Sequence, residues 1–232
     1  MAHERVALIS GANRGIGAAV AAELVRQGWR VSLGMRKPEA PDWPGAETAH
    51  LQAYDAQDET AEARWVEAAL ARFGRIDAII ANAGIMIPKS VIEAEEADID
   101  ALLGINVKAP RRLAKAAWAA LGKSGKGRVI IVASLSGKRV KNARSGSYSL
   151  SKFAAVALAH ALRHAGFEQG IRATAICPGF VATDMAKALT DKPQEQLTAP
   201  EDIARVTAML LDLPNEASVA EFHVNWQLEE SF

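Results

Sequence analysis

The sequence predicts an α/β fold in which helices cover both faces of a parallel sheet of about seven strands. Three observations predict it. Short, continuously apolar runs such as Arg5-Val-Ala-Leu-Ile-Ser10 and Gly127-Arg-Val-Ile-Ile-Val-Ala133 have the character of strands buried on both faces. Segments of helical periodicity alternate with them along the chain. A glycine-rich turn, Gly11-Ala-Asn-Arg-Gly15-Ile-Gly17, joins the first strand to the first helix. Together they describe a doubly wound, Rossmann-like sheet.

Ile16, Val20 and Leu24 recur at helical spacing after the glycine turn, and Gly28 is placed to stop that helix. Trp29-Arg-Val-Ser-Leu-Gly-Met35 is a second strand, which completes a βαβ unit of about 30 residues. The segment Pro38 to Gly45 is an irregular connection. A strand is expected near Thr48–Tyr54, ending at Asp55, then a helix over 58–73 with Trp65, Val66, Ala69, Leu70 and Phe73 on one face and Gly74 closing it. Trp65 is most simply core. Ile76-Asp-Ala-Ile-Ile80 is a strand running into Ala81-Asn82-Ala83-Gly84. A long helix follows, Ala97 to Leu121, with Pro110 inside it. That proline cannot donate to the carbonyl of Asn106, so a kink is expected there.

After the strand ending at Ala133 come Ser134-Leu-Ser-Gly137, a basic loop, and a helix from Tyr148 closed by Gly166. Ile171–Ile176 is a strand leading into Cys177-Pro178-Gly179-Phe-Val181-Ala-Thr183. Pro200 opens a helix with acids in its first turn, and Ala220–Gln227 reads as a final strand. In such sheets ligands bind beyond the carboxyl ends of the strands. The glycine turn, Asn82, Ser134 and Pro178–Thr183 all fall at such ends.

Length fits one domain spanning 1–232, large enough to bury a core without a metal or disulfide. Lys plus Arg (27) balances Asp plus Glu (27), which gives no support for nucleic-acid or membrane-surface binding. Cys177 is the sole cysteine and cannot form an internal disulfide, as suits a reducing compartment. No uninterrupted apolar run reaches the length of a membrane span. His3, Glu4 and Arg5 charge the start, where a secretory signal needs an apolar core. A cytoplasmic protein is expected.

The glycine turn lets backbone approach a pyrophosphate seated on a helix N-terminus. An acidic residue at the end of the second strand would select NAD, whereas arginine accommodates the 2′-phosphate of NADP. Here Met35 is followed by Arg36-Lys37, and Arg14 lies in the turn, so NADP is favoured over NAD. Tyr148 and Lys152, four residues apart on a helix, point the same way. A phenol ionises near 10, and bringing it near 7 takes roughly 4 kcal/mol. An ammonium favours the phenolate. One partly solvated lysine falls short of that sum, so a second cation is expected, and an oxidised nicotinamide is a candidate. Tyr-x-x-x-Lys alone is a common chance pattern.

With these motifs in order, the chain resembles the short-chain dehydrogenase/reductase family in its ordinary single-domain form, over nearly its whole length. The matching stretches are Ser10–Gly17, Ala81–Gly84, Asn106, Ser134 before Gly137, Tyr148 with Lys152, and Pro178-Gly179 with Thr183. The resemblance implies hydride transfer between nicotinamide and a carbonyl or alcohol, with Tyr148 as general acid/base. It implies that Lys152 lowers the tyrosine pKa and holds the ribose, that Ser134 binds the substrate oxygen, and that Asn106 holds a water leading from Lys152 to solvent. Gly11, Asn13, Arg14, Gly15, Ile16 and Gly17 would cradle the dinucleotide with Arg36. Asp55 would contact adenine. Asn82, Ala83, Gly84, Pro178, Gly179, Val181 and Thr183 would line the cofactor cleft. No metal is implied, and a homodimer or homotetramer is.

Three departures stand out. The Ser134–Tyr148 interval is one residue longer than the family pattern, with Ser136 as a rival serine. Asn225-Trp226-Gln227 replaces the usual Asp-Gly-Gly, and the segment 184–199 that covers substrate in relatives is short. The substrate is a small molecule, with Met86, Leu135, Phe180 and Met185 as candidate apolar pocket surface. The competing reading is an NADP-binding sensor or scaffold with little catalysis, although such a module has no need of Tyr148 and Lys152 together. An epimerase or dehydratase would need a larger substrate region.

Overall fold

In the computed structural model, which describes residues 4–228, the apolar runs become seven strands. His3, part of the charged start, lies outside the described residues. The strands are β1 (Val6–Ser10), β2 (Arg30–Met35), β3 (His50–Ala53), β4 (Ala78–Ala81), β5 (Arg128–Val132), β6 (Arg172–Pro178) and β7 (Glu221–Val224). They form one sheet in the order β3-β2-β1-β4-β5-β6-β7, every neighbouring pair parallel. The chain runs outward from β1 to β3, then returns to place β4 on the other side of β1. The crevice beyond the ends of β1 and β4 is therefore the topological switch point.

The helices are α1 (Gly15–Arg26), α2 (Ala61–Phe73), α3 (Glu96–Leu103), α4 (Ala109–Lys123), α5 (Gly146–Gly166), the single turn α6 (Asp184–Lys187), and α7 (Pro200–Asp212). Two apolar layers sandwich the sheet. One is built from α2, α4 and α5 against Leu8, Ile79, Ile131 and Ala175, the other from α1 and α7 against Ile9, Ile80, Ile130 and Ile176. Adjacent strand residues point to opposite layers, as a sheet buried on both faces requires.

Trp65 is fully buried and donates its indole N–H to Ser32 Oγ at 2.7 Å. Glu62, equally buried, accepts from Arg112 Nε at 2.8 Å and from the Tyr54 hydroxyl at 3.0 Å, which fastens α2 to α4 with every partner satisfied. Among the described residues no helix is long and apolar enough to cross a membrane.

Several boundaries differ from expectation for physical reasons. The helix expected over 97–121 is three pieces: α3, a wide π turn at Gly104–Lys108, and α4 with Pro110 in its first turn. Proline needs no donor at a helix start, so the ladder reorganises instead of breaking, with Ala109 N–H reaching back to Gly104 O. The strand expected over 48–54 shortens to β3 because 46–48 coil into a 3₁₀ turn. Gly166 ends α5, but the reversal comes at Gly170, with φ of 71° after one further 3₁₀ turn. The last strand stops at Val224 instead of Gln227. There Asn225 accepts from Trp226 N–H and donates to Gln227 O, diverting backbone groups from the ladder.

Candidate functional site

At the switch point a cleft of about 1830 Å³ opens. That exceeds an ordinary single-ligand pocket of roughly 300–1,000 Å³ and leaves room for a dinucleotide beside a substrate. On one side the glycine turn leads into α1, whose N-terminus carries no side-chain cap and no acid in its first turn. Gly15 and Ile16, at its start, line the cleft, where an anion-binding helix start would lie. Gly17 lies beneath this turn. A Cβ there would stand 2.3 Å from Gly11 O and 2.6 Å from Asn82 Nδ2, both on neighbouring rigid segments. Gly17→Ala is expected to destabilise the fold by about 2 kcal/mol, the cost of overpacking, and to weaken dinucleotide binding at least about tenfold. Thermal melts and a cofactor titration check this together.

Asn82 donates from Nδ2 to Ser10 O and Gly11 O, while Asn82 N–H and Ala83 N–H both donate to Ser10 Oγ at 3.0 Å. The end of β4 is thus stitched to the end of β1 and holds the glycine turn in shape. Ser10 is the acceptor in this arrangement and was not among the site residues expected from sequence. Its place one residue before the glycine turn is the signal.

On the other side stand Ser134, Tyr148 and Lys152. Ser134 caps a 3₁₀ turn by accepting Ser136 N–H at 3.1 Å, and its hydroxyl hydrogen-bonds the Tyr148 phenol. Ser134 rather than Ser136 meets the tyrosine. Lys152 is buried and donates to Val132 O at 3.0 Å, with Nζ 5.6 Å from the Tyr148 ring centre. Burial pushes the half-buried Tyr148 phenol up to about 12 against the lowering hydrogen bond from Ser134, and burial brings the Lys152 ammonium down to about 8. Burial and the Ser134 hydrogen bond, not Lys152, set the direction of the Tyr148 shift in this arrangement. The ammonium is aimed at a backbone carbonyl, not at the phenol oxygen.

Asn106 does not line the cleft. It is buried behind it, accepting Ile85 N–H (2.9 Å) and donating to Ile85 O (3.0 Å) and Ser151 Oγ (3.0 Å). A surface-facing kink is thereby ruled out. Asn106 Oδ1 and Lys152 Nζ flank Gly84, lying 3.1 and 3.6 Å from where a Cβ would stand. Ser151, which ties Asn106 to α5 and donates to Tyr148 O at 2.7 Å, was missed, although it sits one residue from Lys152.

Among the remaining expected residues, Gly11, Asn13, Arg14, Gly15 and Ile16 line the glycine-turn wall, Arg36 and Asp55 the adjacent end. Asn82, Ala83 and Gly84 line the floor, Pro178, Gly179, Val181 and Thr183 the wall after β6. Only Gly17 and Asn106 lie one layer back. Asp55 already accepts Gln57 N–H at 3.0 Å. Arg14 does not lean towards Arg36, because its Nη1 lies 2.7 Å from Asp184 Oδ2 at the start of α6. Met86, Leu135, Phe180 and Met185 all face the cleft.

The sequence profile described as "short chain dehydrogenase" matches residues 5–194. The chain belongs to the short-chain dehydrogenase family. An agropine synthesis reductase from Rhizobium rhizogenes is 40% identical over 228 residues, 94% of this chain and 52% of that protein. The chain thus spans about half the length of that relative. The 3-oxoacyl-[acyl-carrier-protein] reductase FabG of Salmonella typhimurium is 29% identical, with 95% and 96% of the two chains covered. An alcohol dehydrogenase from the archaeon Thermococcus sibiricus, solved with 5-hydroxy-NADP, superposes with a TM-score of 0.84 at 27% identity, covering 98% and 99%. A metagenomic short-chain oxidoreductase solved with NADP gives 0.79 at 28% identity, covering 95% and 96%. The curated relatives are named reductases, and the Thermococcus sibiricus relative an alcohol dehydrogenase.

Proposed function

We propose that the protein is an NADP-dependent oxidoreductase that interconverts a carbonyl and an alcohol, with Tyr148 as general acid/base. The observation that carries this reading is the Tyr148 phenol, hydrogen-bonded to Ser134 and backed by the buried ammonium of Lys152, at the substrate side of a dinucleotide-sized cleft. A bound nicotinamide supplies or accepts the hydride. Ser134 Oγ holds the substrate oxygen. Tyr148 gives that oxygen its proton as the alcohol forms, and takes it back in the reverse direction. Lys152 supplies positive charge beneath the phenolate left behind, and Asn106 fixes the segment 84–86 against α5 so that these groups keep their spacing.

Preference for NADP rests on Met35-Arg36, where an NAD site wants a carboxylate, with Arg36 exposed at the cleft rim. Solved neighbours carry NADP, its hydroxy derivative or NADH, so the preference rests on this chain's own Arg36. Arg14 joins Arg36 at the phosphate once released from Asp184, and that exposed pair is weak. Parallel NADPH and NADH titrations followed by nicotinamide fluorescence test this. NADPH is expected to bind at least about tenfold tighter, and Arg36→Ala to remove most of that advantage while NADH affinity stays within about twofold. Equal or reversed preference assigns the protein to NAD. A reducing cytoplasmic setting suits the buried free thiol of Cys177. Assembly as a homodimer or homotetramer is favoured by half-exposed Leu150 and Phe153 on α5.

A further inference from the structure

The chain is neutral as a whole, yet no Asp or Glu lies between Asp100 and Glu168. Within that interval the connection from Ser134 to Tyr148 carries Lys138, Arg139, Lys141 and Arg144. The fold brings Arg139, Lys141 and Arg144 to the wall of the cleft that also holds Ser136 and Tyr148.

Their presentation is built. Asn142 and Ser145 cap one another reciprocally across the 3₁₀ turn Ala143–Ser145, and that turn feeds directly into α5. Lys141 reaches towards the opposite wall, its Nζ 5.6 Å from the centre of the Phe180 ring.

The neighbouring acids are accounted for. Lys138 is engaged by Glu221 at 2.8 Å. Arg144 faces the charge of Glu93, whose carboxylate is already bonded by Ser90. Asp184, on the far wall, is held by Arg14. Among the described residues neither Lys141 nor Arg144 forms an ion pair. A cleft wall of one sign concentrates anions, and guanidinium geometry matches carboxylate and phosphate oxygens.

Resting on the oxidoreductase reading above, we infer that this wall selects carbonyl substrates bearing an acidic group, with Lys141 and Arg144 holding the anion while the carbonyl lies at Ser134 and Tyr148. Leu135, Phe180 and Met185 offer apolar surface between the two ends.

The test compares NADPH-driven reduction of an aliphatic keto acid, its neutral methyl ester and a keto phosphate of similar size. The acid-to-ester ratio of kcat/KM is expected to exceed about tenfold at low salt and to shrink as salt is added. Lys141→Gln/Arg144→Gln should lower that ratio about tenfold, chiefly through KM. The keto acid and keto phosphate arms separate carboxylate from phosphate as the preferred anion. A ratio near one that the double variant leaves unmoved overturns the inference and spares the oxidoreductase reading.

If no carbonyl is turned over, the oxidoreductase reading is what fails, and binding decides the anion site. The NADPH-loaded protein is then titrated with succinate and with its diamide by nicotinamide fluorescence. Tighter succinate binding that the double variant abolishes supports the site, and equal binding of the two overturns it. Lys141→Gln alone serves the same comparison should the double variant fail to fold.

Discussion

Tyr148→Phe is expected to lower kcat for carbonyl reduction by about a thousandfold, while the NADPH dissociation constant moves no more than about threefold. The substitution removes one oxygen and keeps the ring. Packing beside Lys152 and the helix α5 that carries both survive. On the proposed mechanism, reduction loses the proton that must reach the nascent alkoxide. Direction matters here. With burial pushing the phenol up to about 12, Tyr148 is protonated throughout the neutral range and ready to donate, so reduction should be level with pH there. Alcohol oxidation needs the phenolate and should climb as pH rises. Initial rates in both directions across pH check this pair of expectations. Undiminished turnover in the phenylalanine variant would take Tyr148 out of the reaction and revive the sensor or scaffold reading.

Residues whose role is set by neighbours in the chain were legible, and those set by distant partners were not. Alternation of apolar runs with helical periods carries the sheet and its two covering layers, because strand burial on both faces leaves a direct mark on composition. The glycine turn was legible for the same reason, since Gly17 is forced by backbone next to it. The π turn at Gly104–Lys108 was not, because the partners that fix Asn106 within it, Ile85 and Ser151, lie 21 and 45 residues away. The pairing of Arg14 with Asp184, separated by 170 residues, leaves no trace in local pattern. Helical spacing put Tyr148 and Lys152 on one face. It could not tell that Lys152 Nζ would turn to Val132 O, a partner 20 residues away.

Lys152→Met is expected to stabilise the protein while it disables the reaction. Lys152 is 5% exposed, with burial holding its ammonium down to about 8 from an ordinary value of 10.5. That difference corresponds to roughly 3 kcal/mol spent on keeping a charge out of water. Methionine matches the stem in length, fills the same space without the charge, and forfeits the hydrogen bond to Val132 O, a loss of about 1 kcal/mol. The net expectation is a gain of about 2 kcal/mol near pH 7, or about 4–8 °C in Tm for a chain of this size. The sign follows from linkage. A lysine whose folded pKa is depressed penalises folding fully below about 8, and the penalty fades as pH rises toward the unfolded value. The gap between variant and parent should therefore be widest at and below neutral pH and close above it. Reduction should meanwhile fall at least about a hundredfold, because the developing phenolate of Tyr148 loses the cation beneath it. Thermal melts at pH 6.5 and 9.5 beside kcat measurements separate the outcomes. A variant both less stable and less active at every pH would mean that Lys152 is a structural anchor. One more stable yet inactive would show a charge kept in the cleft wall at the expense of stability, for the sake of the chemistry beside it.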